Sequence, residues 1–323
     1  MVGLTPRGGV LQNMGVNEAN SSARAANEET PAVISTPDEE KRVEERVAIN
    51  AHVVYEAIRR EGEEELSRSN SALAWSALAA GLSMGISFLA EALLRAHLPD
   101  LPWSPLVSRT GYAVGFLVVV LGRQQLFTEN TLTVILPLMQ RANVTTFLNV
   151  LRLWAVVLFA NLLGTYLFAA CVAKVALFDP KVVRAFTDIG VAHTGMSFSV
   201  AFVRAIFAGW LIALMVWLLP GADSSRVSII IILTYLIGLG GFNHIVAGST
   251  TVFFLLVNHA LSWTQYLSGF FLPTLLGNII GGLMLVSALA HAQVVGGRQV
   301  PGVPNSTSKE TGRKKRKFLL TKR

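Results

Sequence analysis

Charge is scarce in this chain. Lys, Arg, Asp and Glu make up 15% of its 323 residues, 52% are hydrophobic, and the mean hydropathy is +0.51. A water-soluble fold of this length needs far more charge to cover its surface, so a soluble domain is excluded. Cysteine is nearly absent too. Cys171 stands alone inside an apolar run, so no intramolecular disulfide can form, and it says nothing about compartment. Metal-ligand clusters, phosphate loops and nucleophile motifs are also missing, which leaves an enzyme, a cofactor or a metal without candidate residues. A cleavable signal peptide is not visible either. Some seventy polar residues precede the first apolar run, which is therefore expected to stay in the membrane as an anchor.

What the chain has instead is apolar runs. About six are long enough to cross roughly 30 Å of hydrocarbon at about 1.5 Å per residue. They cover 71–94, 107–137, 148–176, 198–219, 227–257 and 266–293, and the second and fifth are interrupted. These runs predict an all-α membrane domain of six transmembrane helices over 70–294.

The net charge of +7 is concentrated. From Gly312 the tail reads GRKKRKFLLTKR, just beyond the last run. Its place after a membrane span favours anionic lipid headgroups over nucleic acid as its contact. Six crossings put both ends on one side, and this tail makes that side the cytoplasm. Arg141, Arg152 and Arg226 then fall on cytoplasmic connections. Lys174, Lys181 and Arg184, in the 174–197 connection, fall outside and dissent.

Residues 1–35 are rich in Ala, Asn, Ser, Gly and Glu without periodicity and are read as disordered. Over 36–69 the pattern changes. Thr36-Pro37-Asp38-Glu39 is a helix-start signature, and Val43, Val47, Ala51, Val54 and Ile58 follow at helical spacing. This predicts an amphipathic helix over 37–67. Its polar face mixes Glu and Arg, which favours packing on the protein over lying on lipid. Residues 295–323 form the basic tail.

The membrane region repeats itself. Ala160-Asn161-Leu162-Leu163-Gly164 is matched by Gly277-Asn278-Ile279-Ile280-Gly281. Upstream of each lies a polar interruption: Gly122-Arg123-Gln124-Gln125-Leu126-Phe127-Thr128-Glu129-Asn130, and Gly241-Phe242-Asn243-His244. Thr128 precedes Asn161 by 33 residues and His244 precedes Asn278 by 34. Two halves of three spans must insert with opposite orientation, an inverted 3+3 repeat whose second spans are broken helices. Broken helices are tolerated in a membrane where the freed backbone lines a cavity or is buried in protein, so the paired interruptions point to a permeation site.

These residues carry a resemblance. Gly122 to Asn130 resembles the loop that interrupts the second helix of formate/nitrite transporters. Phe242-Asn243-His244 resembles the interruption of their fifth helix, where the family places one pore histidine. Asn161 with Gly164, and Gly277 to Gly281, resemble the closing motifs of the third and sixth helices. The resemblance covers about 40–293. It implies an aquaporin-like protomer, a homopentamer with one pore per protomer in the inner membrane, and conduction of small monovalent anions or their neutral weak acids.

On that resemblance His244 meets the anion at mid-pore and assists its protonation, so that a neutral acid crosses the apolar constrictions. A neutral histidine bonded to nearby backbone is the alternative. Thr128 and Asn243 could bind a carboxylate or a freed backbone end. Asn161 and Asn278 read as helix bridges, with Gly164, Gly277, Gly281 and Gly282 as packing positions. Tyr112, Phe116, Leu126, Val216 and Ile237 align with the two constrictions. Arg123 and Glu129 are expected to pair and pin the first loop, next to Asn130.

The chain also departs from the family. The usual lysine near the start of the fourth helix is absent from Gly195-Met196-Ser197-Phe198-Ser199, and Arg204 is a candidate replacement. The usual Asn near Ala213 is replaced by an apolar residue. A neutral-solute channel is therefore a second reading, although neither interruption carries the Asn-Pro-Ala of an aquaporin. A non-conducting scaffold is a third reading, and it has no need of two broken helices.

Overall fold

A computed structural model describes residues 51–296, with side chains from 51 to 285. The segment read as disordered, the helix start at Thr36 and the basic tail lie outside the described residues. Those described are all helix and connection.

Helix α1, Ala51–Ser67, is the described part of the expected amphipathic helix. It buries Val54 and Ile58, and Glu56 pairs with the half-buried Arg59 at 2.7 Å and the exposed Arg60 at 2.8 Å. Among the described residues five helices are long and apolar enough to cross a membrane: Asn70–His97 (α2), Ser104–Leu121 (α3), Val144–Lys174 (α6), Phe198–Gly221 and Trp263–Leu285. The fourth comprises α8, Phe198–Leu218, and a final 3-10 turn. The fifth opens with a π-helical turn, Tyr266–Phe271, and continues as α11, Leu272–Gly296. Large apolar side chains face outward along these helices, with Trp75 and Phe159 both 71% exposed, as a lipid-facing surface requires.

The remaining expected run, 227–257, is split into α9, Arg226–Leu239, and α10, Ile245–Val257. Each piece spans roughly 20 Å, too short to cross alone. The second run is also split: α3 ends at Leu121, and α4, Phe127–Thr133, resumes after the interruption, followed by α5, Ile135–Arg141. The connection at 174–197 is more than a loop. It holds α7, Pro180–Val191, started by Asp179 and Pro180 at its first position. Val182, Ala185, Phe186 and Ile189 are its buried face.

Caps set the helix starts. Asn143 Oδ1 accepts the Thr146 N–H at 2.8 Å, Ser197 Oγ accepts that of Val200, and Ser262 forms a reciprocal cap with Gln265. Helix α2 packs along α6, and α8 along α11. Both crossings need glycine. A Cβ on Gly81 or Gly164 would collide with the facing backbone of α6 or α2, and one on Gly209 or Gly281 would do the same between α11 and α8. The half-helices lie at the centre. All thirteen residues of α10 are buried, as are six of the seven in α4.

Candidate functional site

The two interruptions are built alike. At the first, Gly122, Arg123 and Gln124 donate backbone N–H groups to Val118, Val120 and Val119; at the second, Gly240, Gly241 and Phe242 donate to Leu236, Gly238 and Ile237. Arg123 (φ 50°) and Gly241 (φ 59°) occupy the same left-handed position of this closing turn. One asparagine then holds each interruption. Asn161 Oδ1 accepts the Phe127 N–H at 2.9 Å, and its amide donates to the carbonyls of Ala77 and Gln125 at 2.7 and 2.9 Å. Asn278 Oδ1 accepts the Ile245 N–H at 2.8 Å, and its amide donates to Ala205 and Asn243 at 2.8 and 2.9 Å. Each side chain thus satisfies one N–H and one carbonyl that the broken helix strands in a dry interior, and ties them to a carbonyl of the intact α2 or α8.

On this frame the residue before each resumed helix is Leu126 or His244, both extended (φ −111° and −103°). Thr128, which the spacing set opposite His244, lies two residues beyond that position and meets His244 across the interface. Its Oγ1 is 2.7 Å from His244 Nε2. The ring's other nitrogen, Nδ1, accepts the Ala247 N–H at 3.1 Å and caps α10. An accepting Nδ1 puts the proton on Nε2, so the imidazole donates to Thr128 and leaves the Thr128 hydroxyl hydrogen for another acceptor. Phe116 packs edge-on against the His244 ring at 5.1 Å, and Tyr112 follows at 5.4 Å from Phe116. Ile237 and Leu126 are buried nearby on the flanks of the two interruptions.

Val216 lies elsewhere. With Val120, Leu219, Thr133 and Glu129 it lines a cavity of about 490 Å³ beneath α1, which contributes Glu61, Glu64 and Glu65. Glu129 and Arg123 do not pair. Arg123 is exposed and reaches Glu61 of α1 at 3.3 Å, while Glu129 Oε1 is buried with no hydrogen-bond partner among the described residues. The positive φ of Arg123 carries its side chain outward, away from Glu129. Asn130 joins the interruption to its surroundings: its amide donates to Gln125 Oε1, its Oδ1 accepts from Thr133, and its carbonyl accepts from Trp154. Burial pushes the Glu65 carboxyl up, against the pull of Arg68 and a hydrogen bond with Gln125.

The family model described as formate/nitrite transporter matches residues 52–292. The chain belongs to that family. It is 43% identical over 251 residues to "Inner membrane protein YfdC" of Escherichia coli (strain K12), covering 78% of this chain and 81% of that protein. It is 27% identical over 238 residues to "Formate channel BtFdhC" of Bacillus thuringiensis, covering 72% and 89%. Among solved structures it resembles a "Pentameric formate channel with formate bound" (TM-score 0.60, 20% identity, 73% of this chain and 99% of that one). It also resembles an "FNT family ion channel" (TM-score 0.64, 18% identity, 75% and 99%). Members of the formate/nitrite transporter family are channels and transporters, and this chain is a membrane transport protein rather than an enzyme.

Arg204, the candidate for the missing lysine, donates to Met196 Sδ at 3.3 Å on the connection before α8. One buried residue escaped the sequence reading. His193 is 6% exposed beneath the otherwise mostly exposed connection that follows α7, and its Nδ1 lies 3.3 Å from Asn243 Oδ1. It thus reaches the residue next to His244. The available signal was a histidine three residues past the buried face of an unrecognised helix.

Proposed function

We propose that the protein conducts small monovalent anions across the inner membrane, carried as their neutral conjugate acids. One observation carries this reading: the bond between Thr128 and His244 joins the two interruptions at the buried centre. It leaves a hydroxyl hydrogen where a passing carboxylate or nitrite oxygen needs a donor. The fold around it is read as six crossings in an inverted 3+3 repeat, with α3–α5 and α9–α10 as its broken spans. Matching asparagine clamps at the two interruptions support that reading. Tyr112, Phe116, Leu126 and Ile237 supply an apolar passage that a neutral acid crosses at far lower cost than an ion. Val216 closes the cavity below α1. The Asn243 side chain reaches away from the interruption to the Ala201 carbonyl and to His193, and both ends of the chain face the cytoplasm.

A homopentamer with one pore per protomer is part of the proposal. It is supported by the pentameric neighbour and by the apolar groove of Phe207, Trp210, Leu236 and Phe242 on the protomer surface. A second reading, a channel for a small neutral solute, is favoured by the mixed lining of the cavity below α1, where four carboxylates meet three arginines and leave no cationic excess to draw an anion in.

Flux into proteoliposomes separates the two. Formate, acetate, nitrite and hydrosulfide should enter, and glycerol and water should not. His244→Asn keeps a good helix cap but cannot reach Thr128, so pentamers of normal mass should conduct about two- to tenfold less, the scale of one lost hydrogen bond between neutral groups. Glycerol or water flux without anion flux would establish the neutral-solute reading instead.

A further inference from the structure

The two buried histidines are in opposite states, and the difference is fixed by their partners. His244 has both ring nitrogens engaged, Nε2 with Thr128 and Nδ1 with the Ala247 N–H. It is fully buried. To accept a proton it would have to give up its cap on α10 and strand a backbone donor in a dry site. His193 is arranged the other way. The Asn243 amide nitrogen faces the Ala201 carbonyl at 3.5 Å, which turns Oδ1 toward His193. An amide oxygen only accepts, so His193 carries its proton on Nδ1 and donates it. The Nε2 lone pair then makes no hydrogen bond among the described residues, on a ring that lies just under the connection between α7 and α8. Protonation at Nε2 would leave the bond to Asn243 intact.

We propose that His193, and not His244, is the histidine that exchanges protons in this channel and draws the anion in; this rests on the weak-acid reading above. The step balances simply. His193 Nε2 takes a proton from hydronium on the side of the α7–α8 connection, which the proposed topology places outside, and water is released there. The imidazolium attracts the anion, and its Nε2–H passes to an anion oxygen. The products are a neutral acid and the starting imidazole. Asn243 holds the ring through both states. Thr128, oriented by a permanently neutral His244, receives the acid further in.

The surroundings make the imidazolium scarce and therefore strongly acidic. Burial first, then the cations Arg109 and Arg204, oppose its charge and push His193 down to about 4, against the bond to Asn243. The carboxylates of the elements packed nearby are already held: Glu91 by Arg109 at 2.6 Å, and Asp188 by Arg95 at 3.2 Å. Helix α10 brings no ionisable group, the π-helical turn brings Tyr266, whose hydroxyl bonds Ser249 at 3.0 Å, and Phe270 packs edge-on against the ring. No described carboxylate is therefore left to neutralise the imidazolium before an anion arrives.

The test is formate flux through assembled channels between about pH 5 and 8, where the protonated fraction of a histidine pushed down to about 4 grows steadily with acidity, with the neutral formic acid concentration held constant. Wild-type flux should rise at least about threefold as pH falls through that range. His193→Gln keeps a donor for Asn243 without titrating, so it should assemble and lose that rise. His244→Asn should conduct less but retain it. A His193→Gln channel with the wild-type pH profile would overturn the proposal, as would a profile abolished by His244→Asn alone. Absence of formate flux in the wild type would instead remove the weak-acid reading itself. Should His193→Gln fail to assemble, ring-nitrogen NMR of the wild-type channel reads the same question. One buried histidine should protonate from the Nδ1–H tautomer while another keeps the Nε2–H tautomer; if neither protonates, the proposal fails.

Discussion

The two interruptions share a backbone and differ in every side chain that matters. Both end a helix in the same closing turn, both resume from an extended residue, and both are clamped by one asparagine from a later helix. The first is wired to α1: Arg123 bonds Glu61, Glu65 bonds Gln125, Gln125 holds Asn130, and Asn130 accepts from Thr133. The second is wired inward, through His244 to Thr128 and through Asn243 to His193. The clamp fixes the conformation, and the side chains are then free to serve a surface helix on one side and proton chemistry on the other.

If the clamps are equivalent, removing either should be equally costly, and this is the largest effect expected. Asn161→Ala and Asn278→Ala each strand one N–H and one carbonyl of an interruption, at about 1–3 kcal/mol per buried group, so both should abolish assembled protein. Size-exclusion mass measurement of the two variants checks it. Normal assembly of one but not the other would mean that the shared geometry hides unequal roles.

The left-handed position separates the two more gently. Gly241→Ala should lower stability by about 1–2 kcal/mol, the cost of a side chain at positive φ. Arg123→Gly should relieve a similar strain and lose only an exposed pair with Glu61, worth about 0–1 kcal/mol. Thermal unfolding in detergent should therefore move in opposite directions for the two variants.

The smallest effect lies in the link to α1. Burial raises the Glu65 carboxyl, so its ionised form is the disfavoured one. The docked α1 is accordingly most stable with Glu65 protonated, and it loosens as pH rises through the raised value. Hydrogen exchange of the α1 amides, corrected for intrinsic rates, should show protection falling with pH in the wild type. Glu65→Gln should flatten that trend.

Much of this frame was legible in the sequence because broken membrane helices leave a double mark. A polar interruption in an apolar run and a distant asparagine followed by glycine belong together physically, since the stranded backbone needs that amide. The exact register was not legible. Spacing alone set Thr128 against His244, whereas Leu126 holds the equivalent backbone position and Thr128 comes from two residues further on. Arg123 and Glu129 were close enough in sequence to suggest a pair, but the positive φ at Arg123 sends its side chain the other way. His193 only prolongs the buried stripe of a helix that the sequence presents as a connection. Its meaning comes from Asn243, fifty residues away, and from α7, whose Asp179-Pro180 start and alternating charges were passed over as a loop.

The clamps also order the making of the protein. The Ile245 amide has its partner only on the last helix, and the Phe127 amide has its partner only on α6. Neither broken helix can complete its hydrogen bonding as it leaves the ribosome. Each must wait in the translocation machinery or beside water until a later segment delivers one asparagine. Insertion therefore finishes twice, once for each half, and the second completion waits for Asn278.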